Sequence, residues 1–271
     1  MNSKTGVTKT EVVVVLGCII FMLLIIVSNF IYEKSHELGP RAICLGNLKQ
    51  LSLAWVMYAD DNDGDLVNGM AGIDRVDNST SPPTILERAW IGPIPLDNGN
   101  PTIDNRTQEQ IIRNGALWEY AKNPKVFRCP AGKVNHLVTY QIVDSMNGFQ
   151  QPDTVAEGVW ASKRGELSRP GDKIIFIDVG KVRSSSYHVS YRDAKWLDMP
   201  PLRHRYGATV CFADAHAEYW KWKGKETIKL GKSAGSTQLS QHVEPKTVEG
   251  KEDLQKVQKA VWGKLGYTVT D

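Results

Sequence analysis

The sequence has little net charge and few cysteines, and both shortages argue against classes of protein. The 33 Lys and Arg residues nearly balance the 30 Asp and Glu residues, which leaves a net charge of +3. The basic residues are also spread along the chain, so we expect no nucleic-acid partner. None of the four cysteines forms a CxxC pair, which argues against a zinc motif or a thioredoxin-like redox motif.

Recognisable catalytic and calcium-binding motifs are also missing. No Ser, His and Asp order, and no Cys and His order, has the local context of a nucleophile, so we expect no enzymatic activity. In the acidic cluster 60–65, Ala59 and Met70 stand where an EF-hand needs an acidic first ligand and a final glutamate. We interpret this cluster as a solvated helix end. We expect no cofactor, with calcium as the one ion left open.

One long apolar stretch lies near the start of the chain. Only three of the twenty positions from Val12 to Ile31 interrupt it: Gly17, Ser28 and Asn29. Such a length is about what a helix needs to cross the ~30 Å hydrocarbon core of a bilayer. Lys4 and Lys9 precede the stretch, which predicts a cytoplasmic N-terminus. We therefore expect a single-pass inner-membrane protein whose globular domain is periplasmic, or on the cell surface within a filament.

A short motif precedes the apolar stretch. Gly6 is followed five positions later by Glu11, where the apolar stretch begins. This arrangement resembles the prepilin peptidase site of type IV pilins and type II secretion pseudopilins. The resemblance implies cleavage after Gly6 and methylation of Val7. It also implies that Glu11 pairs with the N-terminal amine of a neighbouring subunit during assembly, which fits the cost of an unpaired carboxylate on an apolar helix. A plain signal anchor with a chance Gly and Glu is the alternative.

A helix with a core-facing side is predicted beyond the apolar stretch. Five side chains step by four, three, four and three residues and so share one helical face: Cys44, Leu48, Leu51, Trp55 and Tyr58. The string from Arg41 to Gly64 resembles the C-x-x-N-L-K-Q-L-x-L-A…M-Y-A-x-D-N-D-G stretch of a pseudopilin-like family of planctomycete and verrucomicrobial genomes.

The second half of the chain predicts a sheet and a signature hairpin. Strands are predicted at 126–130, 138–142 and 173–178, with a hairpin formed by 208–212 and 217–222. The hairpin resembles the same family's H-x9-D-G signature, with His204, Asp214 and His216 in place and Ala215 where glycine is usual. We expect these three residues to have a structural role, although imidazole and carboxylate also suit a metal site. A positive φ at Ala215 would cost roughly 1 kcal/mol.

Cys44 and Cys129 are a candidate disulfide pair. Cys44 lies on the predicted core face of the helix, and Cys129 ends a strand that should pack on that face. In an oxidising compartment, a bridge would close a loop of ~85 residues and contribute up to ~4 kcal/mol. We favour this bridge over two buried thiols.

These patterns together predict an α+β, pilin-like fold, in which a long N-terminal helix with a membrane half and an amphipathic half packs on an antiparallel β-sheet. The predicted divisions are a prepilin leader at 1–6, a transmembrane and filament-core helix at 7–32, the amphipathic half at 33–64, a globular β-sheet domain with an irregular insertion at 65–222, and a polar linker with a C-terminal helix at 223–271.

We predict a structural subunit, a pilin or pseudopilin, of a type II secretion or type IV pilus-like filament. Its expected partners are the prepilin peptidase, other pilin or pseudopilin subunits, the secretion or pilus assembly platform, and the membrane. Pilus, secretion and DNA-uptake systems all stay open as its setting. The alternative is a membrane-tethered exported carbohydrate-binding or metal-binding protein or enzyme, since eight Trp and nine Tyr residues could line a sugar site.

Overall fold

The computed structural model describes residues 9–94, 104–150, 159–233 and 242–269, apart from the side chains of residue 11 and residues 29–37. The chain divides into two compact units, Met1–Pro40 and Arg41–Asp271. Its first element is helix α1, Lys9–Asp61, which contains Pro40. In the first unit, the large apolar side chains of α1 from Val12 to Val27 are exposed.

The predicted transmembrane helix is wrong. Among the residues that the structure describes, no helix is long and apolar enough to cross a membrane. The single-pass inner-membrane localisation, with a cytoplasmic N-terminus and a periplasmic domain, is therefore also wrong. The predicted pilin-like fold is wrong as well, because it requires that membrane half; the second unit is nevertheless α+β.

In the second unit, residues 41–61 of α1 provide one side of the core. Four members of the predicted core face are fully buried, namely Cys44, Leu48, Leu51 and Trp55. The fifth member, Tyr58, is half-buried. The helix ends where Gly64, with φ +82°, lets its N–H reach the carbonyl of Ala59 at 2.8 Å. Two acidic residues at this helix end pair with cations, Asp60 with Arg164 and Asp65 with Lys163.

Two antiparallel sheets lie in the second unit. The small sheet pairs β1 (Arg75–Asp77) with β2 (Thr84–Glu87). The larger sheet has the order β3-β4-β5-β6, with bounds Tyr140–Ile142, Ile174–Asp178, Gly207–Phe212 and Ala217–Lys221. Every residue of β3, β4 and β5 is buried, so this sheet forms the centre of the core. The other helices are α2 (Asn105–Arg113), α3 (Trp118–Ala121), α4 (Lys225–Ser233) and α5 (Val248–Trp262).

Two local predictions differ from the structure. The strand predicted at 126–130 is preceded and partly replaced by a 3-10 helix, Pro124–Phe127, because Asn123 caps the N–H of Lys125 at 3.1 Å and a proline begins the turn. The polar linker predicted within 223–271 contains α4. Beyond it, α5 brings apolar side chains into the core: Leu254, Val257, Val261 and Trp262.

The signature hairpin contains a strained turn. Ala215 has φ +71°, and the turn is closed by the N–H of Phe212 donating to the carbonyl of His216 at 3.0 Å. An L-residue in this left-handed region costs about 1–2 kcal/mol, which glycine avoids. The hairpin therefore forms in spite of Ala215.

Replacing Ala215 with glycine should stabilise the protein. The relief of the left-handed conformation outweighs the loss of about 0.4–1 kcal/mol that a freer unfolded chain causes, so we expect a net gain of about 1 kcal/mol in the free energy of unfolding. Urea denaturation of the full chain measures it. Ala217→Gly, placed in β6, is the matched control and should lower the free energy of unfolding. If both variants are destabilised equally, the turn is not strained.

Candidate functional site

The structure separates the three residues of the predicted signature. Asp214 and His216 lie in the turn after β5, where Asp214 Oδ1 accepts a hydrogen bond from the backbone N–H of His216 at 3.1 Å and lies 2.5 Å from its Nδ1. His204 lies before the start of β5, and a six-residue strand spans about 20 Å. Asp214 and His216 therefore cap a turn at one end of the strand, and His204 contacts other residues at the opposite end.

Four buried side chains from distant parts of the chain meet beside the larger sheet. Cys44 lies on α1, Cys129 follows the 3-10 helix Pro124–Phe127, Asp178 ends β4, and His204 lies in the turn before β5. Their sulfur, oxygen and nitrogen atoms all lie within 4.8 Å of one another. We call these four residues the Cys/Asp/His cluster.

The atoms of the cluster are in close contact. Cys44 Sγ lies 3.5 Å from Asp178 Oδ2, and Cys129 Sγ lies 3.2 Å from His204 Nε2. His204 Nε2 lies 3.8 Å from the same Asp178 oxygen. The side chain of His204 is 1% exposed and that of Asp178 is 0% exposed. The cluster is therefore closed to solvent.

Hydroxyl groups surround Cys44. The Tyr140 hydroxyl donates to Cys44 Sγ at 3.3 Å, and Thr209 Oγ1 lies 3.0 Å from the same sulfur. The Thr209 hydroxyl also donates to Asp178 Oδ2 at 3.4 Å. These contacts fix the position of the Cys44 sulfur between α1 and the sheet.

The second carboxylate oxygen of Asp178 has its own partners. The N–H of Gly180 donates to Asp178 Oδ1 at 3.0 Å, and Arg203 Nε lies 3.7 Å from it. The guanidinium of Arg203 is also anchored on the carbonyl of Ala131. Asp178 therefore turns Oδ1 toward a cation and an amide and Oδ2 toward the cysteines.

The turn that carries His204 is strained. His204, Arg205 and Tyr206 have φ values of +43°, +59° and +64°. Residues other than glycine adopt this region uncommonly, and each costs about 1–2 kcal/mol. Strain of this kind persists where surrounding contacts over-determine the conformation, and it concentrates at functional sites. Here the Tyr219 hydroxyl holds the turn by donating to the carbonyl of His204 at 2.7 Å.

The predicted disulfide is not formed in the structure. Cys44 and Cys129 are free thiols, as are Cys18 and Cys211. The sulfurs of Cys44 and Cys129 instead contact Asp178, Thr209 and His204. With no metal bound, the hydrogen bond with Cys44 and then burial raise the pKa of Cys129 far above its usual value. Burial raises the pKa of Cys211 to about 12.

The structure also contains a second polar arrangement, formed by Ser185, His188 and Asp144, which was not predicted from the sequence. Ser185 Oγ lies 2.9 Å from His188 Nε2, and His188 Nδ1 lies 3.0 Å from Asp144 Oδ1. This is the order of contacts in a Ser-His-Asp triad. Burial lowers the pKa of His188, but the hydrogen bond and charge of Asp144 outweigh burial and raise that pKa above its usual value. The imidazole therefore has the partner that a general base needs.

Other features around this triad-like arrangement favour a structural role. Asp144 Oδ1 also accepts a hydrogen bond from the Ser186 hydroxyl at 2.5 Å, and Asp144 Oδ2 accepts one from the N–H of Val189 at 3.2 Å. The N–H of Ser185 donates to the carbonyl of Arg183 at 2.8 Å, so it is not free to stabilise an oxyanion. Asp144 thus holds a turn in place in addition to orienting His188.

The processing and assembly residues are not tested by the structure. Gly6 and Val7 lie outside the described residues, and Glu11 lies in α1 without a described side chain. No protein-family model, no curated protein and no solved structure matches this chain. The resemblance to pilins and pseudopilins therefore stays a prediction that rests on its motifs.

The state of the cysteines can be measured directly. After denaturation of unreduced full-chain protein, all four thiols should react with DTNB, because the four cysteines are free. A count of two would show that one disulfide has formed, as the predicted bridge between Cys44 and Cys129 requires. A reduced and desalted sample is the control and should give four in either case. Before denaturation, Cys211 should react slowly, since its sulfur is buried and its raised pKa leaves little thiolate.

Proposed function

We propose that this chain is a structural subunit, a pilin or pseudopilin, of a type II secretion or type IV pilus-like filament, and that it assembles through α1. The observation that carries the proposal is the exposure of the α1 segment from Val12 to Val27, which we call the apolar segment. Fourteen of its large apolar side chains are 45–68% exposed. Contiguous apolar patches of more than a few hundred Å² are rare on monomers and mark interaction surfaces.

The distribution of these side chains favours a filament over a simple dimer. The apolar segment has large apolar residues at all but two of its positions, Gly17 and Cys18, so no face of the helix is polar. A helix that is apolar all round is buried in its final environment. A symmetric dimer would cover one side of it, whereas head-to-tail packing that repeats without closing surrounds every helix with neighbours.

The motif at the start of the chain supports the same proposal. Cleavage between Gly6 and Val7 by a prepilin peptidase would place a new, positively charged amine four residues before Glu11. A carboxylate at the edge of an apolar packing of helices needs such a partner. The amine of a neighbouring subunit would supply it and would fix the stagger between adjacent helices. On this proposal the chain itself is not an enzyme.

Processing and assembly can be tested together. The full chain is produced with a prepilin peptidase and its assembly platform, and mass spectrometry should find a methylated Val7 as the first residue. Glu11→Gln should abolish the sheared filament fraction, because the buried amine then lacks its counter-charge. Glu33→Gln, on the same helix, is the matched control and should still assemble. An intact Met1 together with filaments from the Glu11→Gln variant would overturn the proposal.

A second candidate function follows from the contacts of Ser185, His188 and Asp144. Their distances of 2.9 and 3.0 Å match those of a hydrolase in which a serine attacks an ester or amide. Ser185 and His188 are both half-buried, so a small substrate could reach them. The occupied N–H of Ser185 argues against this candidate, because the tetrahedral intermediate needs donors for its oxyanion.

A fluorophosphonate probe separates the two functions. A structural subunit should not be labelled at Ser185. A serine hydrolase should be labelled, and Ser185→Ala should lose the label while the neighbouring Ser184→Ala keeps it. Labelling that survives both substitutions would place the reactive group elsewhere and would remove Ser185 from consideration.

A further inference from the structure

We propose that the Cys/Asp/His cluster binds one Zn²⁺ ion in a closed, structural site that ties residues 41–61 of α1 to the larger sheet. The site would use Cys44 Sγ, Cys129 Sγ, Asp178 Oδ2 and His204 Nε2. It is independent of the proposed filament function, because it lies wholly within the second unit and uses none of the residues of the apolar segment.

The donor atoms match zinc. Structural zinc sites take four ligands from cysteine sulfur, histidine nitrogen and carboxylate oxygen. Calcium and magnesium prefer oxygen ligands alone, so two sulfur atoms argue against them. Four protein ligands with no exposed position fit a structural site, because a catalytic zinc keeps one position for water or substrate.

Three of the distances between the donor atoms also match. Zinc bonds of about 2.3 Å to sulfur and about 2.0–2.1 Å to nitrogen and oxygen place tetrahedral neighbours about 3.2–3.8 Å apart. The measured separations are 3.2 Å for Cys129 Sγ to His204 Nε2, 3.5 Å for Cys44 Sγ to Asp178 Oδ2, and 3.8 Å for His204 Nε2 to Asp178 Oδ2. All pairs lie within 4.8 Å. Little movement would be needed to close this shell around an ion.

Groups around the cluster hold the proposed ligand atoms in position through hydrogen bonds and close contacts. The N–H of Gly180 holds Asp178 Oδ1 at 3.0 Å, which directs Oδ2 to the centre of the cluster. The Tyr140 hydroxyl donates to Cys44 Sγ, and Thr209 Oγ1 lies 3.0 Å from the same sulfur, so these two groups fix its position. Such outer contacts set ligand orientation and basicity in metal sites.

With zinc bound, the net charge of the site is close to zero. Two thiolates and one carboxylate carry three negative charges, and Zn²⁺ contributes two positive charges. Arg203, whose Nε lies 3.7 Å from Asp178 Oδ1, contributes the third. Because an uncompensated buried charge is costly, this balance favours a divalent ion at the site. The strained turn of His204 is explained as well, since it brings the imidazole to the fourth ligand position.

Metal analysis tests the site in the whole protein. The untagged full chain is purified under reducing conditions without chelators, and its zinc is measured by mass spectrometry. We expect about one zinc per chain. Cys129→Ser and Asp178→Asn, which preserve side-chain shape, should each reduce bound zinc at least tenfold. Cys211→Ser is the matched control, because Cys211 is buried in β5 outside the cluster, and it should keep its zinc.

A second measurement uses the wild-type protein and therefore tests the site even where a variant fails to fold. Protein stripped of metal by a chelator is titrated with Co²⁺, which should give the charge-transfer absorption of a cobalt–thiolate site and the visible bands of tetrahedral coordination. Restoring zinc should raise the melting temperature of the stripped protein. Absence of the cobalt–thiolate absorption in wild-type protein would overturn the proposal. So would zinc that survives Cys129→Ser, or a disulfide between Cys44 and Cys129 in the purified chain.

Discussion

The second unit depends on how it satisfies one buried carboxylate, that of Asp178. This side chain ends β4 with no exposure, at the point where α1, β5 and the turn before β5 come together. A buried charge is tolerated only with partners. Its partners come from four parts of the chain: the thiol of Cys44, the hydroxyl of Thr209, the N–H of Gly180 and the side chains of Arg203 and His204. Losing Asp178 would therefore loosen the contact between helix and sheet, because several donors would lose their acceptor at once.

The sequence predicted the elements whose pattern is local. The face of α1 that begins at Cys44 was predicted because its spacing of three and four is specific to a helix. The strand β4 and the hairpin of β5 and β6 were also predicted. Their sequences are short continuous or alternating apolar stretches, which are typical of strands. The 3-10 helix Pro124–Phe127 was missed because a cap and a proline overrode the apolar pattern. The predicted membrane span was wrong, since no described helix is long and apolar enough to cross a membrane.

Two polar sites depend on contacts that no local sequence pattern reveals: the Cys/Asp/His cluster and the triad-like arrangement of Ser185, His188 and Asp144. In the Cys/Asp/His cluster, Cys44 and Cys129 were predicted to meet, as a disulfide. His204 was predicted to act with Asp214 and His216, which are at the other end of β5. Asp178 lay at the end of a predicted strand, which gave no sign that its side chain would face Cys44 and Cys129. For Ser185 and His188, the spacing of three residues was visible, but Asp144 is brought to them only by the fold. Residues joined by tertiary structure alone cannot be grouped from one sequence.

Solvent access decides what each centre can do. The Cys/Asp/His cluster is sealed, so no substrate could exchange at it, and a closed shell of four ligands is suited to holding an ion permanently. Ser185 and His188 are partly open to solvent but lack a free N–H at Ser185 to stabilise reaction intermediates. The apolar segment of α1 is the opposite case, an exposed surface whose large side chains are all apolar. The proposed assembly through the apolar segment would remove this apolar surface from water, which is the physical reason for proposing it.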